Sequence, residues 1–222
     1  MHQPGRIRRA IALILVLALC LGTAAAGLDF TALQTQLIAR FGPARLPLLK
    51  DWQTLLESAR GLSEPDKLRR VNDFFNRNIA FDEDISIWGQ SDYWATPLET
   101  IGKGRGDCED FSIIKYYTLR QLGVPVAKMR LIYVKAKQAG GQRAHMVLAY
   151  YASPTAEPLV LDNLDPAIKP ASKRPDLAPV FSFNSHGIYA GVAGAAAASG
   201  GGTSKLSRWD DLMRRARAEG FE

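Results

Sequence analysis

The chain has 222 residues, with 28 Lys and Arg against 22 Asp and Glu, a net charge of +6. Its first 26 residues hold three arginines and no acid, so the other 196 carry 25 basic against 22 acidic residues, a net +3 that implies no nucleic-acid surface. With Cys20 in that leading segment, Cys108 is the one cysteine left, which excludes an internal disulfide framework.

Arg6, Arg8 and Arg9 precede an apolar run from Ile11 to Leu21, and Ala24, Ala25 and Ala26 offer small residues for cleavage before Gly27. This is the pattern of a secretory signal peptide over 1–26, followed by a single domain over 27–222. The run is shorter than the roughly 20 residues of a membrane-spanning helix, although an uncleaved N-terminal anchor is the alternative. Cys20 counts as apolar signal, since Leu19 before it is bulkier than a lipoprotein site prefers. In an exported protein the unpaired Cys108 points to a reactive thiol.

Residues 28 to 80 have the periodicity of helices. Phe30, Leu33, Leu37, Ile38 and Phe41 form one stripe, and Leu46, Leu49, Trp52, Leu55 and Leu56 a second after Gly42 and Pro43. Ser63 and Pro65 announce a third helix through Leu68, Val71, Phe74 and Phe75. Residues 81 to 101 break the period. There Trp88, Gln90, Tyr93 and Trp94 either line a substrate groove, one of their N–H groups serving an oxyanion, or the tryptophans pack inward and Gln90 alone is wet.

Glycines 102, 104 and 106 then lead to Asp107, a good N-cap, and to apolar residues at helical spacing from Phe111 to Leu122, closed by Gly123 and Pro125. Cys108 therefore falls in the first turn of a helix, where free N–H groups and the helix dipole favour a thiolate. Beyond Pro125 the period changes to two. Met129–Ala136, His145–Ala152, Leu159–Asn163 and Val180–Phe183 are predicted strands, with residues 138–142 as a hairpin connection. The expected fold class is α+β, N-terminal helices followed by an antiparallel sheet. Alternation places His145 with Val147, and Asp162 with Val160, so matched faces would bring histidine and aspartate together.

Cys108, His145 and Asp162 are thus the candidate nucleophile, base and orienting acid. His186 is the substitute base and Asp165 the substitute acid, both in turn-like contexts. Residues 190–204 are rich in Gly and Ala and suggest a flexible loop. A last helix carries Leu206, Trp209, Leu212 and Met213 on one face, which either docks on the core or meets a partner.

The blocks Asp92–Pro97 (DYWATP), Gly106–Phe111 (GDCEDF), Ala144–Leu148 (AHMVL) and Leu161–Asn163 (LDN) resemble the bacterial transglutaminase-like cysteine proteinases. The resemblance implies a papain-like, transglutaminase-type core with Cys108, His145 and Asp162 as its triad. It also implies a periplasmic endopeptidase that cuts the N-terminal region of a large RTX-type adhesin, typically at an alanine pair. Release of that adhesin would be controlled by the periplasmic domain of an inner-membrane cyclic-di-GMP receptor. Calcium dependence is implied as well, with Asp107 and Glu109 as metal ligands and Asp110 either a further ligand or helix surface. These acids would otherwise raise the thiol pKa, and a bound Ca²⁺ would offset them; the competing reading is that Asp107 only caps the helix. An amine-transferring transglutaminase and a non-catalytic calcium-dependent binding module are the alternatives, and a monomer is expected.

Overall fold

The computed structural model describes residues 27–190 and 203–221. Residues 1–26, where a signal peptide is expected, and most of the Gly/Ala-rich run lie outside the described residues. Three helices open the domain: α1 (Phe30–Phe41), α2 (Leu46–Ala59) and α3 (Glu64–Asn78). Each boundary has a local cause. Asp29 accepts from Thr31 N and Ala32 N at 2.9 and 3.0 Å, and α1 ends at Gly42 with φ 77°. Ser63 caps α3, with Pro65 in its first turn.

The stretch from 81 to 101 is more regular than its broken periodicity predicts. Strand β1 (Ala80–Phe81) is followed by α4 (Asp84–Trp88) and α5 (Pro97–Lys103). In α5, Thr96 Oγ1 accepts from Glu99 N, and the Glu99 carboxylate accepts from Thr96 N, a reciprocal capping box that a seven-residue helix needs. Next, β2 (Arg105–Gly106) pairs in parallel with β1 and delivers the chain to α6 (Cys108–Gln121). Helix α6 is central, and its residues from Asp110 to Leu119 are buried.

The sheet has the order β6-β5-β4-β3-β7-β8, with β3 (Met129–Gln138), β4 (Gly141–Tyr150), β5 (Leu159–Leu161), β6 (Lys169–Pro170), β7 (Leu177–Asn184) and β8 (Gly187–Ala190). Every neighbouring pair is antiparallel. The β3–β4 hairpin turns on Ala139 and Gly140, keeping one register from Met129↔Tyr150 to Gln138↔Gly141. One sheet face sends Leu131, Met146, Leu148, Leu161 and Phe183 into the main core around α6. The other carries Ile132, Val134, Val147, Ala149 and Val160 in a smaller cluster. The last helix, α7 (Thr203–Ala218), docks on the core through Trp209, Leu212 and Ala216.

Candidate active site

Cys108 is the first residue of α6, and Asp107 Oδ1 caps it by accepting from Glu109 N at 3.2 Å. The β1–β2 ladder fixes the approach, with Ala80 N donating to Gly104 O and Asp82 N to Gly106 O, each at 3.1 Å. Gly106 is required by close packing, since a Cβ there would lie 2.7 Å from that of Asp110. Cys108 and His145 line one cleft of about 600 Å³, shared with Asp84, Asp92, Asp107, Glu109, Arg143 and Leu164.

His145 stands near the middle of β4, and Asp162 follows directly on β5. Since Leu148 pairs with Leu161 and Ala149 with Val160, Asp162 continues the register opposite Val147, a diagonal neighbour of His145 on the same face. The contact forms: His145 Nε2 lies 2.7 Å from Asp162 Oδ1, with both residues buried. Asp162 Oδ1 also accepts from Asn163 N and Leu164 N, and Oδ2 accepts from Arg174 Nη2 at 2.7 Å. Burial works against the Asp162 charge, but the His145 and Arg174 hydrogen bonds outweigh it and hold its pKa at about 2. Asp165 instead pairs with Lys169, and the His186 backbone N–H bonds Asn184 in a turn.

Around the cysteine the charge is negative. Cys108 Sγ is 2.7 Å from Glu109 Oε2, and oxygens of Asp84, Asp107 and Asp110 lie within 4.8 Å of one another. Burial, then the charges of Glu109 and Asp107, push the Cys108 thiol well above its ordinary range, against a hydrogen bond from the Met146 backbone that favours the thiolate. Carboxylates and burial thus override the helix terminus. Asp110 is not helix surface: it is fully buried and accepts from Ala95 N at 2.8 Å. Asp84 accepts from Tyr93 N. Asp84 Oδ1 and Asp110 Oδ2 are buried with no hydrogen-bond partner. Two orphaned carboxylate oxygens beside Asp107 form an oxygen-only donor set, which suits a hard divalent cation such as Ca²⁺.

None of the four residues proposed for a groove from their position in 81–101 lines the cleft. Trp94 is buried, stacked on Phe183 at 5.6 Å, and its Nε1 donates to Asp92 Oδ1. Trp88 packs on Tyr93 with Lys103 over its ring, and Gln90 is exposed. Packing claims the aromatic rings, with Lys103 of α5 over Trp88, Arg215 of α7 over Tyr93 and Phe183 of β7 against Trp94, while Ser91 and Asp92 reach the cleft instead. Sequence reasoning also missed Asp84 and Arg174, which reach the site only through tertiary folding.

A cysteine at a helix start, packed on an antiparallel sheet that carries a histidine–aspartate pair, is the layout of the transglutaminase-like fold. The chain belongs to the bacterial transglutaminase-like cysteine proteinases, whose family model matches residues 55–176. It is similar to Legionella pneumophila LapG, with a TM-score of 0.70 at 38% identity over 86% of this chain and 99% of that one. The calcium-bound form of LapG gives 0.68 at 39% identity, over 84% and 98% of the two chains. The EGTA-treated form gives 0.71 at 38%, over 86% and 100%. Among curated proteins none matches.

Proposed function

We propose that this chain is a calcium-dependent cysteine endopeptidase exported to the periplasm, with residues 1–26 removed and 27–222 forming one domain. The observation that carries the reading is the buried His145–Asp162 hydrogen bond at the edge of the cleft that Cys108 lines. With Nε2 committed to Asp162, Nδ1 is the ring nitrogen left to take the Cys108 proton. The sulfur then attacks the scissile carbonyl carbon, and His145 returns the proton to the leaving amine. Water hydrolyses the thioester with His145 again as base. The Cys108 N–H, a first-turn donor, serves the developing oxyanion.

Asp107 belongs to both acidic groups at the site and, with Glu109, Asp84 and Asp110, would hold the metal. When bound, Ca²⁺ supplies positive charge that offsets the carboxylates facing the thiol. The solved calcium-bound and EGTA-treated forms of LapG support this assignment. The substrate we infer is the N-terminal region of a large RTX-type cell-surface adhesin. Cleavage would release it and disperse biofilm, under the periplasmic domain of a cyclic-di-GMP receptor. The sequence blocks around Trp94 and Cys108 support both.

The test is cleavage of a purified adhesin N-terminal fragment by the 27–222 protein and its Cys108→Ala form, in Ca²⁺ or chelator and with an added amine. Two fragments from the native protein in Ca²⁺ alone are expected. An amine adduct would mean acyl transfer, and cutting by Cys108→Ala would overturn the triad.

A further inference from the structure

Helix α6 carries more of the site than its first residue. Positions 108, 112 and 115 are spaced i, i+4, i+7 and fall on one helix face. Ser112 Oγ donates to Met146 O at 3.0 Å, the carbonyl of the residue next to His145. Lys115 Nζ donates to Asp162 O at 3.1 Å and to Asn72 Oδ1 and Asn76 Oδ1 of α3 at 2.9 and 2.8 Å. Asn76 Nδ2 donates to the same Asp162 carbonyl at 2.8 Å, and Asn72 Nδ2 holds Pro166 O at 2.7 Å. Thus the backbone of the aspartate is gripped from α3 and α6 while its carboxylate serves His145.

Lys115 is fully buried, between Ile114 and Tyr116 in a helix whose middle is otherwise largely apolar. Burying an amine there is costly, and burial pushes its pKa down to about 7 against the pull of Asp162 and Asp73. Three oxygens around Nζ match the three donors of an ammonium, so the cage selects a donor-only group. Packing alone gives no reason for a lysine here, since a methionine fills similar space without the penalty.

We propose that Ser112 and Lys115 are positioning residues, two pegs on the helix that bears Cys108, which set the distance from the sulfur to His145 and to Asp162. A helix rises about 1.5 Å per residue, so the Lys115 backbone lies about 10 Å along a rigid rod from that of Cys108, and its side chain ties that rod to the Asp162 carbonyl. A shift near 1 Å in such a constellation costs on the order of a hundredfold in rate. This inference rests on the triad reading.

The test compares Lys115→Met and Ser112→Ala with the native 27–222 protein and Cys108→Ala, all calcium-loaded. Cleavage kinetics are measured beside the NMR resonance of the His145 Nε2 proton. The Trp52 indole proton, which donates to Thr118 Oγ1, reports on the core. Expected are kcat reduced about tenfold to a hundredfold with KM nearly unchanged, a displaced His145 resonance and a native Trp52 signal. Native kcat and an unmoved His145 resonance in both variants would overturn the proposal. Should Lys115→Met fail to fold, Ser112→Ala decides by the same two readouts. Cleavage that survives Cys108→Ala would bring down the triad reading itself, whereas loss in Cys108→Ala with native rates in the other two would bring down only the pegs.

Discussion

Arg174 and Asp162 form a buried ion pair, Nη2 to Oδ2 at 2.7 Å, on the opposite side of the carboxylate from His145. Arg174 is itself held by Asp176, through Nε at 3.0 Å and Nη2 at 2.8 Å. The acid that orients the histidine is therefore oriented by a guanidinium anchored in turn by a second, more exposed acid. Arg174→Met removes one partner of a buried pair and leaves a buried charge facing apolar surface. The expected loss is about 3 to 5 kcal/mol of unfolding free energy, with kcat reduced. Urea denaturation at neutral pH checks it, and a loss below about 1 kcal/mol would show that Asp162 needs no counter-charge.

The same pair predicts an acid limb in the stability curve. Asp162 has a folded pKa of about 2 against an ordinary 3.8, so the folded state favours its ionised form. Its contribution is complete above about pH 5 and is lost as pH falls through 3.8 toward 2, where the unfolded chain binds the proton first. The size is about 2 kcal/mol from the pKa difference. Unfolding measured from pH 5 to pH 2 should show this loss, and Arg174→Met should move it to higher pH. An unmoved limb in the variant would assign the acid sensitivity to other carboxylates.

The acidic shell gives a two-sided prediction. Asp84→Asn keeps an acceptor for Tyr93 N but removes one of three clustered carboxyl groups, itself buried. Without metal the variant should be more stable than the native protein, because burial and the neighbouring charges of Glu109 and Asp92 both disfavour the Asp84 carboxylate. With calcium the order should reverse. An ion at a hundred times its Kd adds about 3 kcal/mol to the folded state, so the native Tm should rise by several degrees and the variant's by much less. Calorimetric scans with Ca²⁺ and with chelator read both halves; equal calcium responses would exclude Asp84 from the ligand set.

How far the site was legible beforehand follows from how local each signal is. The helix start at Cys108 is written within a few residues, as flexible glycines, an N-cap aspartate and apolar positions at helical spacing. His145 and Asp162 are legible because a period of two assigns faces, and register then needs only neighbouring strands. Asp84 is not, because it reaches Asp107 only when the two-residue β1–β2 ladder folds α4 back onto the start of α6. Arg174 leaves no local trace either, coming from the end of the short 3₁₀ turn after β6. Helix α5 is a different case: Thr96, Pro97 and Glu99 spell a capping box, but seven residues give too few apolar positions to show a period.

The final helix decides between a docked element and a partner surface. Trp209 is 2% exposed, with ring centroids 5.8 Å from Tyr116, 6.3 Å from Tyr117 and 5.3 Å from Phe183. It thus wedges between α6 and β7, the two layers that meet at the site. From the next turns, Arg215 donates to Trp94 O at 2.6 Å and pairs with Glu99, tying α7 to the segment that runs from Asp92 into α5. Trp209→Ala should therefore cost about 3 to 5 kcal/mol, the range for emptying a large aromatic site in a core. Urea denaturation should show the loss as one cooperative transition at lower denaturant, because α7 shares its core with α6. A cost under about 1 kcal/mol, or a separate early transition, would make α7 a detachable element and return its apolar face to the partner reading.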